Sequence, residues 1–204
     1  MNSKGQKTVS KESLALSSKL LAIRWLELIV ITAIVVTYGW AACERNFVWM
    51  GDFTLWSDVV KKSPNKARPR SNLGLAYYRN KELFQAAEQF KKALYLNPDF
   101  SYARFNLGTV YQSMRLYDKA ITEYTRALYT PREPFFYHIH NNLGVCYFIK
   151  GWTDPAIEEF KQAIEMNPYF SDARFNLSIA YSSKGLHTLS AEQKKKAEVL
   201  EKAK

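Results

Sequence analysis

Two apolar patterns run along this chain of 204 residues. The first is continuous: residues 25–43 are strongly apolar, with Glu27 as the only charge. The second is periodic. Asn72-Leu73-Gly74 returns as Asn106-Leu107-Gly108, Asn142-Leu143-Gly144 and Asn176-Leu177-Ser178, and a tyrosine follows each leucine four residues on, at Tyr77, Tyr111, Tyr147 and Tyr181. An alanine and an aromatic residue come next in three copies, Ala86/Phe90, Ala120/Tyr124 and Ala156/Phe160, and a further alanine (Ala93, Ala127, Ala163) and a proline (Pro98, Pro131, Pro168) close the unit. A spacing of four is one helical turn, so the pattern predicts helix pairs, one pair about every 34 residues. Glycine inside a helix costs about 0.5–1 kcal/mol relative to alanine. Its recurrence therefore implies that Gly74, Gly108 and Gly144, facing Ala86, Ala120 and Ala156, let the paired helices approach. Asn97-Pro98 and Asn167-Pro168 stop the second helix, because the residue before proline avoids the helical region.

These residues resemble the tetratricopeptide repeat. The resemblance implies an all-α, right-handed solenoid of antiparallel helix pairs, in which stacked units make the core continuous. Such arrays hold partners and rarely perform chemistry. The predicted layout is a disordered tail at 1–18, a transmembrane helix at 19–44, and at 45–66 a linker with the second helix of an incomplete leading repeat, where Trp56, Val59 and Pro64 keep the register. Repeats follow at 67–100, 101–136 and 137–170, and a degenerate repeat with a capping helix at 171–204. In the last unit Ser178 replaces glycine and Lys194 the aromatic residue, and the Lys/Glu-rich helix expected from Ser190 suits a solubilising cap. Leu107 and Leu143 are 36 residues apart, the surplus falling in the proline-broken connector Thr130-Pro131-Arg132-Glu133-Pro134.

The apolar run is long enough to matter. As a helix it would span about 28 Å, close to a bilayer's ~30 Å hydrocarbon core, with Trp25, Tyr38 and Trp40 at interfacial positions. Lys4, Lys7, Lys11, Lys19 and Arg24 precede it, so the positive-inside rule places the N-terminus in the cytoplasm and the array on the exoplasmic side. In a bacterium this means a single-pass inner-membrane protein with a periplasmic array. A cleaved signal and a lipoprotein modified at Cys43 are the alternatives. Residues 1–44 hold five basic and three acidic residues, so +8 of the net charge of +10 lies beyond them. That charge admits acidic partners, but no nucleic-acid module is legible, and acidic and basic residues interleave through the first repeats.

Residues 45–49 (Arg45-Asn46-Phe47-Val48-Trp49), followed by Phe53-Thr54-Leu55-Trp56-Ser57-Asp58-Val59-Val60-Lys61-Lys62-Ser63-Pro64-Asn65-Lys66-Ala67, resemble the junction between the last span and the repeats in transmembrane-and-tetratricopeptide mannosyltransferases. Those proteins place their repeats on the exoplasmic side. This chain has one predicted span instead of many, so glycosyl transfer is not carried over.

First helices line the inner surface of such an array. Asn72, Asn106, Asn142 and Asn176 recur there, and each amide offers a donor and an acceptor to an extended peptide backbone. This resembles the asparagine ladder of the O-linked N-acetylglucosamine transferases; locking the helix packing is the alternative role. Phe105, Phe175, Thr109, Ile179 and Gln112 are candidate pocket residues, and Arg70, Arg104 and Arg174 candidate positive edges. The lysine that a carboxylate clamp needs is replaced by Ser71, Phe105 and Asn141.

No enzyme is legible. His138 and His140, two apart on a helix, cannot chelate one ion, and Cys146 stands too far from His138 for a nucleophile–base contact. No phosphate loop, zinc spacing or nucleophile elbow is present, and no cofactor or metal is expected. The expected partner is a protein or extended peptide recruited to an envelope assembly. A non-catalytic subunit of a membrane glycosylation system, or a lipoprotein assisting pilus or secretin assembly, is the alternative. Self-association through exposed groove aromatics is a further outcome.

Overall fold

The computed structural model describes Trp25, Leu28 and residues 30–38, 51–130 and 133–203. The chain divides into two units, 1–51 and 52–204. In the first, residues 30–38 are helical. Apart from Trp25 and Leu28, the rest of the expected span at 19–44, the tail at 1–18 and the linker before Gly51 lie outside the described residues, as do Pro131 and Arg132. Among the described residues no helix is long and apolar enough to cross a membrane.

The second unit is an array of nine described helices: α1 (Asp52–Lys62), α2 (Ala67–Arg79), α3 (Leu83–Leu96), α4 (Ser101–Ser113), α5 (Tyr117–Leu128), α6 (Phe136–Ile149), α7 (Thr153–Met166), α8 (Ser171–Ser183) and α9 (His187–Lys202). No strand occurs among the described residues. Each helix packs on the next in sequence. First helices also touch one another, α2 on α4, α4 on α6 and α6 on α8, whereas no two second helices do. The first helices therefore form the crowded inner face.

Pairing within a repeat follows from side-chain size. Phe90, Tyr124 and Phe160 lie against Gly74, Gly108 and Gly144, so close that a Cβ would fall 3.0, 2.6 and 2.7 Å from a ring carbon. Ala86, Ala93, Ala120, Ala127, Ala156 and Ala163 are fully buried beside them. In the fourth repeat no ring stands opposite: position 194 is lysine, and Ser178 is accommodated, its hydroxyl donating to the Phe175 carbonyl at 2.7 Å. At the other end α1 has no first helix of its own among the described residues. Trp56 and Val59 are accordingly half-buried, where their counterparts Phe90 and Ala93 are completely covered.

The turn inside each repeat is a left-handed cap. Lys81, Arg115, Gly151 and Gly185 occupy one register with φ of 63°, 61°, 79° and 74°. The N–H after each donates back across the helix end, Glu82 to Tyr77, Leu116 to Tyr111, Trp152 to Tyr147 and Leu186 to Tyr181. That is the hydrogen bonding of a Schellman cap. It also starts the last helix at His187, three residues before the sequence-based boundary. Along this edge Asp118 pairs with Lys150, and Asp154 with Lys184, tying successive repeats.

Candidate functional site

Most of the polar residues expected to line the groove are engaged within the array. Tyr124 carries a phenol where Phe90 and Phe160 carry none, and it is completely buried. A buried hydroxyl needs partners. Tyr124 Oη donates to Gln112 Oε1 at 2.7 Å, lies 3.2 Å from Thr109 Oγ1, and accepts from Asn142 Nδ2 at 3.3 Å. Three sequence-predicted site residues thus converge on one phenol, and burial raises its pKa.

The other asparagines vary. Asn106, 8% exposed, donates to the Tyr102 carbonyl at 2.9 Å. Asn176 donates to Asn141 Oδ1 at 2.9 Å, bridging α8 to α6. Asn141 is itself buried and leans on Asn142 at 3.4 Å. Asn72 is half-buried, with no side-chain hydrogen bond among the described residues.

The arginines hold connectors. Arg70, Arg104 and Arg174 direct Nε to the carbonyls of Pro64, Pro98 and Pro168 at 2.9, 3.2 and 3.2 Å. Arg104 adds Glu123 at 3.2 Å, and Arg174 adds Gln193 at 3.2 Å. The third repeat has His140 in this place, 2.7 Å from Glu159.

The inner face is aromatic at the long connector. Phe105 meets Phe135 at 5.7 Å and His138 at 6.4 Å, and His138 meets Tyr137 at 4.1 Å and Phe170 at 5.0 Å. Burial pushes the His138 imidazole below its usual value, partly offset by Asp172. Phe135, Tyr137 and Phe170 of this cluster, and the bridging role of Asn141, escaped the sequence reading; the run Phe135-Phe136-Tyr137 behind a proline was the available signal. Cys146 is sealed, its thiol pushed up to about 12 by burial, which leaves it inert.

Toward α9 the face opens. Phe175 is 47% and Ile179 41% exposed. Phe175 stands in the register of Phe105 but has no ring contact among the described residues. Beside it lies a pocket of about 500 Å³ between α6, α8 and α9, within the range of ordinary ligand sites. No cluster of three metal-ligating side chains occurs among the described residues.

Tetratricopeptide repeat models match residues 67–100, 90–122 and 137–170, so the chain carries these repeats. Human Protein O-mannosyl-transferase TMTC3 is 25% identical over 158 residues, 71% of this chain and 17% of that protein. The bovine BBSome complex member BBS4 is 30% identical over 102 residues, 50% of this chain and 19% of that protein. The chain thus spans less than a fifth of either relative. Among solved structures, that of MamA superposes with a TM-score of 0.66 and 27% identity, covering 72% of this chain and 85% of the other.

Proposed function

We propose that these tetratricopeptide repeats form a scaffold that captures a partner polypeptide along the first-helix face, at the end formed by α6, α8 and α9. The observation that carries this reading is the uncovered apolar surface of Phe175, which lines an open pocket, and of Ile179 one turn further along α8. Phe105 and Asn72 extend the face; Asn106, Asn142, Thr109 and Gln112 shape it from beneath, and Arg70, Arg104 and Arg174 hold its spacing. That one relative is by name a complex member agrees with such a role. The reading includes an N-terminal anchor at 19–44 with the array on the exoplasmic side, and the unit boundaries given above. It rests there on the charge distribution around the apolar run. Partner proteins recovered with the full chain from solubilised membranes should be lost in Phe175→Ala/Ile179→Ala, with helical content unchanged. An unaltered set of partners would sink the proposal. Extraction of the protein from membranes by alkaline carbonate would sink the anchor.

A second reading follows from the likeness to Protein O-mannosyl-transferase TMTC3. Here the chain is a non-catalytic subunit working beside a separate membrane glycosyltransferase. Co-purification with such an enzyme distinguishes it from the general scaffold.

A further inference from the structure

Phe175 borders the pocket between α6, α8 and α9. At the equivalent place in the second repeat, Phe135 and His138 cover Phe105 at 5.7 and 6.4 Å. Nothing described covers Phe175, whose ring and the buried Ala197 present apolar surface to the pocket. Among the described residues this slot therefore offers uncovered apolar surface. The surrounding charge selects what brings it. Asp172, Glu198 and Glu201 line the pocket and are exposed. Among the described residues none of the three makes an ion pair, although Asp172 lies near enough to influence His138. No basic side chain stands among the residues that line the pocket. Beyond residue 44 the chain carries a net charge of +8, yet the lining around this uncovered aromatic ring holds three carboxylates.

We infer that this pocket takes a cationic segment of the partner polypeptide, with a large apolar side chain seated on Phe175 and Ala197 and flanking lysine or arginine side chains facing Asp172, Glu198 and Glu201. The inference rests on the proposed capture by the first-helix face and adds the chemistry of what is captured. It is the opposite of a carboxylate clamp: the array selects positive segments and rejects acidic ones, as like charges at a binding edge do.

The test uses the full chain in detergent and two fluorescein-labelled synthetic peptides, read by anisotropy. One alternates lysine with phenylalanine and leucine; the other has glutamate at every lysine position. The lysine peptide should bind about tenfold more tightly or better at low salt, the sum of several exposed charge pairs. The preference should shrink as salt screens it and vanish in Glu198→Gln/Glu201→Gln. Both glutamates are solvent-exposed on α9, so the variant keeps its fold, which circular dichroism checks. If both peptides bind equally and the double variant changes nothing, the charge selection is overturned while the capture face stands. If neither peptide binds, the capture face falls with it.

Discussion

Gly108→Ala isolates the contact on which the repeat packing rests. The added methyl would lie 2.6 Å from Tyr124 Cε1 and 2.7 Å from Cδ1, against an ordinary carbon–carbon contact of about 3.5–4.0 Å. The ring cannot swing aside cheaply, because Gln112, Thr109 and Asn142 hold its hydroxyl. Overpacking of this kind costs about 1–3 kcal/mol. Removing a helical glycine returns about 1 kcal/mol. The net expectation is a loss of about 0–2 kcal/mol, toward the upper end because the ring is anchored. Gly144→Ala, whose methyl would meet Phe160 at 2.7 Å, should lose slightly less, since that ring has no hydroxyl to anchor it. Gly74→Ala, at 3.0 Å from Phe90, needs only a small ring displacement and should come out near neutral. Urea midpoints followed by far-ultraviolet circular dichroism, at constant slope, give the order directly. A higher midpoint for Gly108→Ala than for the parent chain would mean that helix propensity governs this position, and the packing argument would fail.

Four further outcomes follow from the same geometry. Tyr124→Phe should cost about 1 kcal/mol, because the apolar contacts stay while Gln112, Thr109 and Asn142 lose a shared buried partner; a neutral result in denaturation would show that the network contributes nothing. Arg115→Gly should raise stability by up to about 1 kcal/mol by relieving a left-handed residue, and a lowered midpoint would contradict it. Arg104→Lys should destabilise nearly as much as Arg104→Ala, since an ammonium cannot reach the Pro98 carbonyl and Glu123 together as the guanidinium fork does; full retention of stability by the lysine variant would remove the connector role. The Cys146 thiol ionises near about 8.5 when unfolded and at about 12 when folded. Its folded pKa is raised, so this stability is present below the unfolded value and lost as pH rises through that window. The alkaline slope should therefore be flatter in Cys146→Ala, and parallel slopes would refute the burial effect.

The repeats were legible because their determinant is local. A small residue at one place and a ring sixteen residues later can be read off the chain, and the last helix pair departs at both places, with Ser178 and Lys194. The same chain hides what its polar residues do. Thr109 and Gln112 have the spacing of groove residues, but a buried phenol below them takes their hydrogen bonds. Arg70, Arg104 and Arg174 share a register because the proline carbonyl they grip shares one, and a backbone acceptor leaves no trace in a side-chain pattern. The left-handed caps were only half visible, since Gly151 and Gly185 announce themselves while Lys81 and Arg115 occupy the same conformation without a signature. The pocket at α9 was not legible at all, because it depends on how α6, α8 and α9 meet around Phe175.

The most direct test of capture by the first-helix face is photo-cross-linking in intact cells, with a photoreactive residue at Phe175 and a control at Tyr95, which is 87% exposed on a second helix. The scaffold account predicts a defined heterologous polypeptide joined at position 175, absent at position 95, and lost in Ile179→Ala. Adducts of the chain with itself alone, or equal capture at both positions, would contradict it.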